Sequence, residues 1–319
     1  MLSISQSLKF AQGAIKKNKI NPELEHYQIK NGEIVGFNGY MALGAPIDLA
    51  IEAHPKAALF FKALEACGET ISINLTDGGR LSIRSGKFAA YVPCIDREVY
   101  TARPEGVAYE APEGFGAACR KLLPFISEDA SRPWAMGLCS KEGSLTATNN
   151  IIIIQQWIGG DLPVFNCPKF AIAEIARVGE DPKIIQVSPT SLTFHFEDGR
   201  WLRTQQLSDE WPHATVDNIL SGAKPGTPVG PELFDGLRTI APFTPPETTA
   251  IRFEDGRITT GNEGAGASVE VEVPAGPLFS APMIKLLEGV AQTIDFSAYP
   301  NPCGFFGENC RGVILGLRE

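Results

Sequence analysis

At 319 residues the chain is too long for one ordinary core and suits two or three domains. Apolar residues make up 44% and charged residues 20%, the balance of a folded chain and not of a disordered one. A net charge of −9 argues against a nucleic-acid partner unless positive charge is segregated on one part of the molecule.

The first predicted element is a helix over 2–19, where Ile4, Leu8, Ala11 and Ile15 form one stripe and Lys9 and Lys16 face away. Alternating runs in "EHYQIKNGEIVGF" predict short strands, and Pro55 then opens a helix over 56–66. A second unit follows, with a helix over 112–126, strands through "PWAMGLCSKEGSLTATNNIIII", and a helix over 169–178 after Pro168. The third has helices over 231–241 and 282–292 with "TAIRFEDGRITTGN" between them. The three prolines Pro55, Pro168 and Pro282 lie 113 and 114 residues apart, a period of domain length. The reading is α+β, helix–strands–helix–strands three times over, with domains at 1–103, 104–215 and 216–319.

These six helices carry twelve basic and six acidic side chains, so the rest of the chain holds the whole negative excess. The basic set is Lys9, Lys16, Lys17, Lys19, Lys56, Lys62, Arg120, Lys121, Lys169, Arg177, Arg238 and Lys285. Recurrence of one sign on helices of all three units predicts a basic surface able to meet a phosphate backbone. The clustered Arg, Asn and Gln of base-edge readers are missing from these helices, so binding would ignore base sequence.

Residues 145–157, "LTATNNIIIIQQW", pose a separate question. Successive strand side chains point to opposite faces, so four isoleucines in a row require apolar cover on both sides. The cover is either this chain or a partner.

The order and spacing of "ISEDASRPWAMGLCSKEGSLTATNN", "LRTQQLSDEWP" and "RGVILGLRE" resemble the bacterial replicative sliding clamp, the β subunit of DNA polymerase III, over essentially the whole chain. The chain is shorter than typical members, as a phage-encoded or divergent version would be. The resemblance implies a cytoplasmic, non-enzymatic processivity factor without a cofactor. Two copies would close head to tail into a ring around duplex DNA, with helices inside. It also implies a cleft for the short linear peptides of polymerase and clamp loader. Here the matching positions are Ala135, Thr148, Asn149, Asn150, Ile151, Ile152 and Ile153, with Val313, Leu315, Gly316, Leu317 and Arg318 from the terminal strand. Isoleucines replace the family's His and Arg, Gly316 replaces a proline, and Glu319 replaces a terminal leucine, which implies a more apolar pocket with a different peptide preference. The other reading is a β-rich repeat scaffold that binds proteins or small ligands without DNA.

Other motifs are explained structurally. "GNEGAGAS" (261–268) lies between strand-like runs and reads as a hairpin, not a phosphate loop. His26, His54, His195 and His213 lack metal-ligand spacing. The Asp-Gly steps near 77, 198 and 255 sit at hairpin turns. Seven cysteines without a Cys-x-x-Cys pair predict free thiols. No apolar run reaches membrane-span length, and the first residues lack a signal-peptide pattern.

Overall fold

Among the described residues the chain forms seven α-helices: α1 Ile4–Ala11, α2 Ala57–Glu65, α3 Phe115–Leu122, α4 Lys169–Val178, α5 His213–Ser221, α6 Pro231–Ile240 and α7 Ala281–Lys285. The computed structural model describes residues 2–17, 20–96, 101–244, 249–260 and 266–318. Lys19, most of the Gly-rich stretch at 261–268, and Glu319 therefore lie outside the described residues. The chain divides into two compact units, one of residues 1–116 and 173–206, the other of 117–172 and 207–319.

In the first unit a seven-stranded antiparallel sheet runs in the order Gln28–Lys30, Glu33–Phe37, Met41–Pro46, Trp201–Gln205, Ser191–His195, Ile184–Val187, Val107–Glu110. Its centre is a join between strands about 160 residues apart in sequence, with Leu43 opposite Leu202 and Gly44 opposite Trp201. A three-stranded sheet, Ser72–Leu75, Arg80–Ser85 and Phe88–Pro93, completes the unit. α1 is started by a reciprocal cap, in which Ser3 Oγ accepts from the Gln6 amide and the Gln6 side chain accepts from the Ser3 amide. Leu8, Tyr27, Phe60 and Phe194 are fully buried beneath the helices.

The second unit repeats the scheme. An eight-stranded antiparallel sheet runs Phe165–Pro168, Gly137–Lys141, Ser144–Thr148, Ile152–Trp157, Cys310–Ile314, Cys303–Gly307, Thr293–Ile294, Thr227–Pro228. Its central join sets Ile154 opposite Gly312 and Gln155 opposite Arg311. A four-stranded sheet runs Ser268–Glu270, Arg257–Thr259, Ala250–Glu254, Leu278–Ser280. Phe253, Phe279 and Phe296 pack ring on ring with centroids 5.2–6.0 Å apart.

Several sequence expectations change. The first helix ends at Ala11 and continues only as a 3₁₀ turn over Gln12–Ala14, where Gly13 packs too closely against Glu174 and Leu43 to admit a side chain. Lys16 and Lys17 thus lie beyond any helix. Helix 112–126 is shorter, with Leu123–Phe125 as a 3₁₀ turn. The helix expected over 282–292 stops at Lys285, and left-handed Gly289 turns the chain soon after. Pro55 stands two residues before α2 in a bridge with Cys94, and Pro168 closes a strand; only Pro282 opens its helix. None of the seven cysteines is in a disulfide, and five of them are buried. No described helix is long and apolar enough to cross a membrane.

Candidate partner groove and basic helix residues

The groove begins with a side-chain-built turn. Asn149 Oδ1 accepts from the amides of Ile151 (3.1 Å) and Ile152 (2.8 Å), and Thr148 Oγ1 accepts from the Asn150 amide (3.1 Å). Asn150 takes a left-handed φ of 72°, which its short polar side chain tolerates. That side chain is held at both ends: Asn150 Nδ2 donates to Ser127 Oγ (3.2 Å), and Arg132 donates to Asn150 Oδ1 (3.0 Å).

The turn launches the isoleucine strand in fixed register. Ile152 and Ile154 are fully buried in the core, whereas Ile151 and Ile153 are half-buried and line a cavity of about 350 Å³. Val313 lies directly across from Ile153, and the Leu315 amide donates to Ile151 O (2.9 Å), so two strands make the floor. α5 supplies the wall through Thr215, Val216 and Ile219, with Pro212 ahead of it and Pro302 opposite. Trp134 lines one end and stands edge-on to buried Trp211, centroids 5.2 Å apart at 86°. Among the described residues of the lining Arg132 is the one that carries a charge. Such a site can take an apolar segment and hold one anionic or acceptor group at the Arg132 end.

Of the cleft residues expected from sequence, Thr148, Asn150, Ile151, Ile153, Val313 and Leu315 come together here. Ile152 and Ala135 do not line the groove: the even isoleucine faces the core, and Ala135 is fully buried with its carbonyl taken by the Ser127 amide. Gly316, Leu317 and Arg318 also lie off the lining. The Leu317 amide donates to Leu278 O (2.7 Å), its carbonyl accepts from Tyr299 Oη (2.8 Å), and Gly316 abuts the Tyr299 ring. Sequence reasoning missed Arg132, Trp134, Pro212, Thr215, Val216, Ile219 and Pro302. The available signal for α5 was Val216, Ile219 and Leu220 at helical spacing, followed by Gly222.

The expected DNA-facing cations fall into two classes. Lys9, Lys16, Lys17, Lys62, Arg120 and Lys285 are exposed and form no ion pair among the described residues. The other five are engaged. Lys56 pairs with Glu25 at 3.4 Å, and Lys121 donates to Gln156 Oε1 (2.8 Å) and Glu308 O (3.2 Å). Lys169 donates to Ile126 O and to Glu128 (2.9 Å), and its hydrogen bond holds the Glu128 carboxyl below the usual range. Arg177 is bound to Glu174, and Arg238 to both Asp235 and Glu288. α1 packs on α2, and α6 on α7. Among the described residues no three His, Cys, Asp or Glu side chains gather as a metal site.

Neither a protein-family model nor a curated protein sequence matches the chain. Solved structures do. The DNA polymerase sliding clamp of Bacillus subtilis superposes with a TM-score of 0.83 at 15% identity, over 99% of this chain and 97% of that one. The Caulobacter ("C. crescentus") beta sliding clamp gives 0.81 at 17% identity over the same shares. A sliding clamp from Bartonella birtlesii (DNA polymerase III subunit beta), solved bound to griselimycin, gives 0.81 at 14% over 100% and 98%. The chain has the bacterial sliding-clamp fold.

Proposed function

We propose that this chain is a non-enzymatic DNA sliding clamp: two copies close into a ring around duplex DNA and tether a polymerase. Its three clamp domains would be 1–103, 104–215 and 216–319. The observation that carries the reading is likeness to bacterial clamps along 99% of the chain, end to end, at TM-scores of 0.81–0.83. A fold shared over part of a chain serves many functions; correspondence over nearly the whole of both chains is what supports the clamp reading.

The groove between the isoleucine strand, the terminal strand and α5 is the proposed seat for a short apolar peptide of polymerase or clamp loader. The exposed cations on or beside the helices would supply weak, base-independent phosphate contacts, which a sliding protein needs. The experiment is topological. Loaded on nicked circular DNA, the protein remains through gel filtration and is lost when one restriction cut linearises the circle. Equal loss from circular and linear DNA overturns the reading. A DNA-free scaffold is favoured by one observation, the local pairing of Lys56, Lys169, Arg177 and Arg238 with carboxylates. It predicts no retention on either substrate.

A further inference from the structure

One buried thiol has an amine for a neighbour. Lys121 Nζ lies 3.4 Å from Cys310 Sγ, across 189 residues of chain. Two further bonds fix the ammonium, which donates to Gln156 Oε1 (2.8 Å) and to Glu308 O (3.2 Å), so each of its three protons has an acceptor. Gln156 and Cys310 stand opposite each other in the central join of the eight-stranded sheet, and Lys121 reaches both from the last turn of α3.

Cys310 is 2% exposed, yet it directly follows the exposed pair Glu308–Asn309 at the tip of a hairpin closed by Gly307 and Cys310. A brief opening of that turn admits a small solute to the sulfur. Two other buried thiols differ. Cys139 and Cys303 direct their sulfurs at backbone carbonyls, and burial pushes them up to about 12 and about 11, which keeps them neutral and unreactive.

We propose that Lys121 and Cys310 form a modification site, where hydrogen peroxide ties the lysine nitrogen to the cysteine sulfur through one oxygen. The inference rests on contacts inside the second unit and is independent of DNA binding.

The chemistry takes two peroxides. The first oxidises the thiol to a sulfenic acid: an S–O bond forms, the peroxide O–O bond breaks, and water leaves. Lys121 passes its extra proton to water and presents a neutral amine to the sulfenic oxygen. One amine N–H and the sulfenic O–H are then lost, an N–O bond forms, and the two electrons reduce the second peroxide to two waters. A thiol, an amine and two peroxides become one N–O–S link and three waters. The oxygen enters between atoms already in contact, so the flexible lysine stem has little distance to cover.

The link fastens α3 to Cys310–Ile314, the strand that also supplies Val313 to the groove floor. A tie between residues so far apart in sequence restricts the unfolded chain strongly.

The test treats the folded full chain with hydrogen peroxide, digests it without reductant and reads the peptides by mass spectrometry. The expected product carries the Lys121 and Cys310 peptides as one species, heavier than their sum by one oxygen and lighter by two hydrogens, and dithiothreitol separates them. The oxidised protein melts at least about 3 °C above the reduced one, and reductant reverses the shift. Lys121→Arg keeps charge and reach but lacks the amine; it gives neither the joined species nor the shift. Cys310→Ser removes the sulfur and gives the same result where it folds. An unmodified Cys310, or a Cys310 that gains oxygen while the Lys121 peptide stays separate, overturns the proposal. So does a joined species that forms equally in Lys121→Arg.

Discussion

Ile152 and Ile153 are one step apart on a strand and belong to different parts of the molecule. Ile152 is sealed in the core with Ile154, and Ile153 forms groove floor opposite Val313. An Asp at 152 would bury an unpaired carboxylate, a change in the class that costs about 4 kcal/mol or more. An Asp at 153 points its charge into an open cavity and leaves the sheet intact. Ile153→Asp should therefore melt near the wild-type temperature and weaken peptides selected on the wild-type groove at least tenfold. Ile152→Asp should instead abolish cooperative melting. Thermal melts read beside peptide titrations check both, and unchanged peptide affinity in a folded Ile153→Asp protein removes the groove from the binding surface. The run of four isoleucines was visible in the sequence, as was the demand for cover on both faces. Which parity faced the groove was not, because the Asn149 and Thr148 side-chain hydrogen bonds that set the register are indistinguishable in sequence from an ordinary polar turn.

Element existence was easier to read than element length. α2, α4 and α6 fall where apolar spacing placed them, and α1 and α3 shorten where Gly13 and Pro124 change the backbone path. α5 was missed because His213–Ser221 follows "SDEWP", which reads as a link, although it forms the groove wall. The joins between ladders were invisible, since strand pairing across 160 residues leaves no local pattern. Their packing is now specific enough to test. A Cβ at Gly44 would overlap the Trp201 ring, which is itself buried and donates through Nε1 to Glu33 (2.6 Å). Gly44→Ala should cost about 1–3 kcal/mol, as overpacked sites do. In a unit of this size that lowers the melting temperature by roughly 2–4 °C per kcal/mol. The companion change Gly256→Ala meets no neighbour; its left-handed backbone still carries a cost, but the Gly44 site should lose more. Differential scanning calorimetry of the two variants decides the matter, and a Gly44→Ala protein as stable as wild type would mean that the join yields easily.

At the scale of the whole molecule, if the proposed function holds, an acidic chain with basic helices would gain DNA contacts only from cations that are not already spent on carboxylates. Counting twelve basic side chains in the sequence overstates the supply. Lys56, Lys121, Lys169, Arg177 and Arg238 are held by protein partners, pairings that depend on tertiary neighbours such as Glu25, Glu308 and Glu288 and so escape sequence inspection. Lys9, Lys62 and Arg120 remain exposed and form no ion pair among the described residues. Phosphate contacts release counterions, and each contributes about 0.9 to the log–log slope of affinity against salt. Changing Lys9, Lys62 and Arg120 together to Ala should flatten that slope by as much as about 2.7 units and shorten residence on circular DNA. Changing Arg177 and Arg238 to Ala should leave the slope alone, because their charge is already answered. Duplex binding measured across a salt series, with gel filtration to confirm that self-association is unchanged, separates the two sets. If both sets flatten the slope alike, the exposed and the engaged cations do not differ in DNA contact. If neither does, the basic residues are solvated surface and the phosphate backbone is bound elsewhere or not at all.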